Sequence, residues 1–533
     1  MVRFRSACIL TAALAAAPFV PSLAAEDPAA RWWAHVAFLA SDTLEGRDTG
    51  SEGHQKAAAY VAEQFKAAGL APAGTSGYRQ PVQFTSRKIV EAQSSLTLVR
   101  DGKADPVALG TDAAFSMRID PAPQVEAPLA FVGYGLQIPD AKIDDLAGQD
   151  LRGKIVVYLV GSPAGVPDAL GAHAQSAAAR WAALKGAGAI GAIVVQHPGR
   201  QEPPWERASL ARLQPAMSLA DASLHDTAGQ QVAIAFNPAS AERLFAGSGH
   251  TFAEIVALAD DRKPLPRFPL PTTVRATVKV ETAAITSDNV AGLLRGSDPA
   301  LRDEYVVLSG HLDHLGIGGA VNGDRIYNGA MDNASGIASL IETARALAAL
   351  PQRPKRSVLF VAVTAEEKGL LGSRYFASHP TVPPPAIVAN INMDMFLPLF
   401  PMKSVMVFGL DESDLGASVR QVAASMQLGV QGDPEPLRNR FIRSDQYSFI
   451  RQGVPALALK VGYAPDSPDA ATHAAWTKDR YHAPSDDLQQ PVDRGSAVTF
   501  NDLLVRLTTA VGNQPQRPHW NDASFFKRFA AAH

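Results

Sequence analysis

Apolar positions along this chain follow two rhythms, and the changes between them divide it. From Arg31 to Ala68 the spacing is helical. HQKAAAYVAEQFKAAGL sets Ala58, Val61, Phe65 and Ala68 on one face and stops at Gly69, as a C-cap would. The loop LASDTLEGRDTGSEG, Leu39 to Gly53, separates two predicted helices, and the second is expected as an amphipathic surface helix. Strand-like alternation follows at Gln80 to Val99 and again at Thr272 to Ile285. Between them the texture turns rich in Gly, Pro and Ala. Short apolar runs, Leu129 to Gly135, Lys154 to Gly161 and Arg180 to Gly199, follow turn signals and predict an inserted domain.

From Asp288 onward strands and helices alternate. YVVLSG (Tyr305 to Gly310), SVLFVAV (Ser357 to Val363), AIVANINMD (Ala386 to Asp394), SVMVFGL (Ser404 to Leu410) and PALALKV (Pro455 to Val461) are continuous apolar runs. Such runs suit strands buried on both faces of a largely parallel sheet. Ile337, Leu340, Ile341, Ala344, Leu347 and Leu350 keep helical spacing between the first two, so the expected class is α/β: a mixed, largely parallel sheet flanked by helices. The end, from Gln514, reads as a peripheral tail or short docking helix.

Composition narrows the function classes. At 533 residues, with 47% hydrophobic and 19% charged residues and a net charge of −3, the chain has the balance of a globular protein without the basic surplus that nucleic acid would call for. The basic start Met1 to Arg5, the apolar Ala7 to Val20 and the small residues before Glu26 predict a secretory signal peptide over residues 1–25. Export to a periplasm or to the outside follows, with no stable membrane association. Cys8, the only cysteine, lies in that signal, so the mature chain is expected to form no disulfide. As a lipoprotein anchor it would sit too early in the apolar segment.

The chemistry gathers at strand ends. Loops beyond the carboxyl ends of an open α/β sheet converge on a crevice. His311 follows the first strand, Glu366 and Glu367 the second and Asp394 the third; Asp332 precedes a helix and His482 lies in the loop RYHAPSDD. Imidazole nitrogens and carboxylate oxygens without thiolate favour zinc or another first-row divalent ion, and two ions need a shared carboxylate. Glu366 and Glu367 point to opposite faces if the strand stays extended. Where the backbone turns they can divide the work, one binding metal and one moving a proton.

The ordered motifs H-L-D-H (His311 to His314), G-A-M-D-N-A-S-G (Gly329 to Gly336), T-A-E-E-K-G-L-L-G-S (Thr364 to Ser373), N-M-D-M (Asn392 to Met395) and Y-H-A-P-S-D (Tyr481 to Asp486) resemble the M28 family of zinc aminopeptidases. The resemblance implies two Zn2+ per chain, one held by His311 and Asp394, the other by Glu367 and His482, with Asp332 bridging. It makes Glu366 the general base and Tyr481 the donor to the oxyanion, with Asp313 and Asp445 in supporting places. Peptides with a free N-terminus would be the substrates, attacked by a metal-bridging water. The strands near Lys154 and Arg180 resemble the protease-associated (PA) domain, which gives a plan of 26–110 as the first part of the peptidase domain, 111–269 as the insert, 270–513 as the catalytic part and 514–533 as a tail.

Simpler readings stand beside these. His314 and His473 fit no ligand position of the family and read as loop histidines; Asp486 and Asp487 read as turn and cap residues. Gln446 stands where many relatives carry histidine, a change expected to affect how the substrate side chain or amine is held. Arg438, Arg440 and Arg443 could form a carboxylate pocket, as a carboxypeptidase or dipeptidase of the same fold would need. A receptor-like module without catalysis and an enzyme that cyclises N-terminal glutamine are further alternatives.

Overall fold

The computed structural model describes residues 27–530. The expected signal segment, Cys8 included, lies outside them. Two sheets organise the chain. In the larger, the strands Ser357–Val363, Tyr305–His311, Ile387–Asn392 and Ala456–Val461 lie side by side and parallel. Val280–Leu294 and Arg79–Ile89 extend it antiparallel on one side, and Ser404–Phe408 extends it antiparallel on the other. The first three of the parallel strands are buried at every position, as their unbroken apolar sequence requires.

Alternation within those strands feeds two cores. Val306, Leu308, Val358 and Phe360 pack with the helices Pro28–Leu39, Ser335–Ala348 and Arg494–Asn513, through Trp32, Ile337, Leu340, Phe500 and Leu503. Val307, Leu359 and Val361 face the other way, onto Phe376 and Phe449 of two short helices. The expected amphipathic helix is Glu52–Ala67. Its Ser51 cap accepts the His54 N–H at 3.1 Å, and Ala58, Val61 and Phe65 are buried.

The second sheet runs Lys103–Val107, Ser95–Arg100, Phe268–Thr277, Gln124–Phe131, Ile155–Leu159, Gly191–Val195, Val232–Phe236 and Ala113–Phe115. It has its own core, with Leu129, Phe131, Ile155, Ile193 and Phe245 among its members. Each long alternating stretch of the sequence divides between the sheets: residues 79–89 and 280–294 belong to the large one, 95–100 and 268–277 to the small one. The two crossings lie together, joined by the Val90 N–H to the Lys279 carbonyl at 2.8 Å. Most of the small sheet falls within 111–269, with strands on either side completing it. Ala216–Leu219, inside that span, pairs instead with Arg79–Ile89 in the large sheet. The tail docks: Trp520 and Phe526 are buried, and the Trp520 indole donates to the Gly453 carbonyl at 2.9 Å. Among the described residues no helix is long and apolar enough to cross a membrane.

Candidate metal centre

Three parallel strands deliver their polar residues to one edge. His311 ends its strand, and Glu366 and Glu367 follow Val363 after Ala365, whose positive φ of 56° turns the chain. That turn removes the extended alternation, so both glutamates join the site. Asp394 follows Asn392 in the same way. Asp332 comes from the turn before the helix Ser335–Ala348, and His482 from the loop after the helix Pro468–Asp479.

Asp332 stands at the middle. Its Oδ1 lies 3.2 Å from His311 Nε2, which is 3.3 Å from Asp394 Oδ1. Its Oδ2 lies 3.3 Å from His482 Nε2, which is 3.2 Å from Glu367 Oε2. The carboxylate therefore faces a histidine and an acid on each side. Within two overlapping groups, His311 with Asp332 and Asp394, and His314 with Asp332 and Glu367, the donor atoms all lie within 4.8 Å of one another.

Burial and crowding set the charges. Burial works to raise Asp332 and Glu367, but the histidines outweigh it and hold both below the usual carboxylate range. Burial works to lower His311 and His482; the surrounding acids prevail, carrying His311 well up and His482 to about 10. Glu366 behaves differently. Burial, with Glu367, Asp394 and Asp445 nearby, pushes it well above the usual range despite His311. Burial also raises Tyr481 far beyond an ordinary phenol, against the opposing pull of Arg443.

A second layer holds these groups. Asp486, expected as a turn residue, is fully buried and accepts the Met331 and Asp332 N–H groups at 2.9 and 3.0 Å. Asp313 accepts the Glu366 N–H at 3.0 Å and the Thr49 hydroxyl at 3.1 Å, while its carbonyl lies 3.1 Å from His311 Nδ1. The loop between the first two helices takes part as well. Its buried Arg47 donates to the carbonyls of Leu312 at 3.0 Å, Asn328 at 2.6 Å and Gly329 at 3.1 Å, and Asp48 pairs with buried Lys368 at 2.7 Å. From the smaller sheet's side, Arg118 donates to the Glu367 carbonyl at 2.8 Å.

All five expected ligands and Glu366 come together, and the Tyr481 ring lies against that of His482 with centroids 3.9 Å apart. Asp445 is fully buried, with neither carboxylate oxygen hydrogen-bonded, and burial raises it to about 7. It touches no ligand side chain by hydrogen bond or ion pair. His314 is the residue that the sequence reading set aside: it is buried at the site, its Nδ1 2.8 Å from Glu367 Oε1. His473 is a packed histidine, 4.6 Å from the Tyr463 ring. The Gln446 amide serves the interior, accepting from Asn392 at 2.9 Å and donating to the Phe441 carbonyl at 2.6 Å.

The donor set fits a metal. Among the described residues no lysine or arginine forms an ion pair with Asp332, Glu366, Glu367 or Asp394. Glu367 Oε1 and both His314 ring nitrogens are buried without a well-aligned hydrogen bond. Imidazole and carboxylate donors left this way are what a divalent cation satisfies. A His/carboxylate centre at the C-terminal edge of the sheet's parallel strands is an arrangement that can hold a divalent metal. Residues 289–508, the part of the chain that carries this centre, match the model of peptidase family M28.

A probable leucine aminopeptidase 2 of Aspergillus fumigatus is 30% identical over 184 residues, which are 33% of this chain and 34% of that protein. A probable zinc metalloprotease of Pyricularia oryzae is 40% identical over 90 residues, 17% of each chain. The match therefore spans about a third of the fungal aminopeptidase and less of the other. An aminopeptidase from Aneurinibacillus sp. strain AM-1 shares the fold, with a TM-score of 0.55 at 20% identity, covering 92% of this chain and 94% of that one.

Proposed function

We propose that this chain is an exported dinuclear zinc aminopeptidase that removes N-terminal residues from peptides. The observation that carries this reading is the Asp332 carboxylate, which offers one oxygen to His311 and Asp394 and the other to His482 and Glu367. His311 and Asp394 would hold one ion, His482 and Glu367 the other, and Asp332 both. The names of the relatives, an aminopeptidase and a zinc metalloprotease, favour the same metal and reaction. Two cations bound there would lower the pKa of water and polarise the substrate carbonyl.

The chain's own groups do the rest. Glu366 faces the cleft, belongs to neither ligand pair and has a raised proton affinity. It accepts a proton at its carboxylate as water adds to the carbonyl and returns it to the leaving nitrogen. Tyr481 remains protonated across the working pH range, so its hydroxyl can donate to the oxygen that gains charge. Carboxylates at the cleft receive the substrate's free amine. The insert, read as a PA-like domain, narrows the approach: its Glu202 lies on the cleft, paired with Arg438 at 2.8 Å.

Chelation tests this reading. Prolonged treatment with a strong chelator is expected to abolish hydrolysis of leucine p-nitroanilide, and two equivalents of Zn2+ per chain to restore it, followed by metal analysis and absorbance. Full activity after the metal has been removed would sink the proposal. An N-acetylated substrate is expected to resist cleavage. The carboxypeptidase alternative loses two of its three arginines, since Arg438 and Arg440 are paired with Glu435 at 2.7 and 2.9 Å.

A further inference from the structure

The cleft lined by Asp332, Glu366, Asp394 and His482 is a recess that Met395, Leu397, Met406, Phe408 and Ala458 also wall. Lys460 and Arg443 open into the same space. Lys460 stands at the end of the fourth parallel strand, Ala456–Val461, and is the one residue of that strand that is not fully buried. The parallel strand beside it leads into Asp394 and the next one along ends in His311, at the same edge, so the fold puts a cation where the other parallel strands put candidate metal ligands.

Among the described residues, the Lys460 ammonium has no hydrogen bond and no ion pair; its recorded contact is the Phe408 ring, with the centroid 6.0 Å away. Burial lowers its proton affinity, and Asp394 works the other way. Among the described residues, the Arg443 side chain has no ion pair, and its hydrogen bond goes to the Tyr481 hydroxyl at 3.4 Å. The third cation of the recess, Arg440, is already matched by Glu435 at 2.9 Å and Glu202 at 3.6 Å. Two cations therefore face an apolar recess without an acid of their own. The field of Asp394 and Asp332 partly offsets Lys460, but these are the acids that would neutralise bound cations. With the ligands so engaged, the ammonium lacks an anion, and a desolvated charge favours a partner of opposite sign.

We propose that this recess binds a carboxylate of the substrate, with Lys460 its specificity-determining cation and Arg443 its second. The inference rests on the aminopeptidase reading for the identity of the substrate. The carboxylate can come from the side chain of an N-terminal Asp or Glu, or from the C-terminus of a short peptide. The apolar walls suit the methylene groups that would carry it.

The zinc-loaded full chain is assayed on two pairs of substrates that differ by one charge: glutamyl against glutaminyl p-nitroanilide, and leucylglycine against leucylglycinamide. In at least one pair the charged member is expected to be cleaved with kcat/KM about tenfold or more higher, chiefly through KM. The pair that discriminates identifies the source of the carboxylate. Lys460→Met is expected to collapse that ratio towards one, and Lys460→Arg to restore part of it. Equal cleavage within both pairs, or a Lys460→Met variant that slows both members alike, overturns the proposal. If no free-amine substrate is cleaved, the aminopeptidase reading fails by itself. Calorimetric titration of glutamate against glutamine, and of leucylglycine against its amide, then decides the recess: tighter charged ligands that lose their advantage in Lys460→Met support it, and equal binding refutes it.

Discussion

Glu366→Gln is expected to lower kcat for leucine p-nitroanilide by about 10^2 to 10^4-fold, the range that positioned proton transfer contributes, while the metal content stays at the wild-type level. The substitution keeps shape and removes the proton acceptor. The backbone should tolerate it, because Asp313 holds position 366 through the main-chain N–H at 3.0 Å and not through the side chain. Glu366 also has no ion pair with His311, His314 or His482, so the ligand contacts survive its loss of charge. Steady-state kinetics with metal analysis on the same sample separates the possibilities. Wild-type turnover with both ions present would remove Glu366 from the proton path; lost ions would make it a ligand instead.

The gathering of the candidate site's members was partly legible in local signals. Three come directly after uniformly apolar strands, and parallel strands of one sheet must end on the same edge. Asp332 and His482 needed the motif resemblance, since a turn before a helix and a loop between helices carry no intrinsic direction. The supporting residues were not legible. Asp486 meets the Asp332 N–H across 154 positions, and Arg47 meets Leu312 across 265, with no periodicity to announce either contact. The burial of His314 was not legible for a related reason: its spacing from His311 says nothing of where a residue just past the strand end points, whereas the fold buries it against Glu367. A polar residue inside an apolar strand, Lys460 in ALALKV, was a visible signal that periodicity alone could not interpret.

The same reasoning explains the division of the chain into sheets. Alternation reports that residues 80–99 and 272–285 are strand-like, but not that each run changes sheet partway. The break is made by hydrogen-bond partners that only the fold supplies, the Val90 N–H to the Lys279 carbonyl and the Lys279 N–H to Ser94 Oγ at 3.0 Å. Because the crossings are adjacent, the smaller sheet leaves and rejoins the larger one at a single place. Further along, Arg118 reaches the Glu367 carbonyl, Glu202 pairs with Arg438, and Ala216–Leu219 pairs with Arg79–Ile89 in the large sheet. A sheet held at several points can shape the neighbouring cleft in a way that one on a single tether could not.

Asp332→Asn is expected to have the larger effect on metal, reducing tightly held Zn2+ below two per chain and lowering kcat/KM by about a thousandfold or more, beyond the 10 to 100-fold typical of losing an outer partner. An amide keeps one oxygen and the volume but gives up the charge and the second acceptor, so it cannot serve both His311 with Asp394 and His482 with Glu367. The fold should persist, since the main-chain N–H of residue 332 still reaches Asp486 at 3.0 Å. Asp486→Asn supplies the graded comparison: it leaves every ligand in place and loosens the loop that presents Asp332, so metal affinity is expected to fall by about 10 to 100-fold with recovery of activity at high zinc. Zinc titration against a competing chelator measures both variants. Asp332→Asn with two ions held at wild-type affinity would disprove the bridge, and an Asp486 variant indistinguishable from wild type would show that the turn holds its shape without that carboxylate.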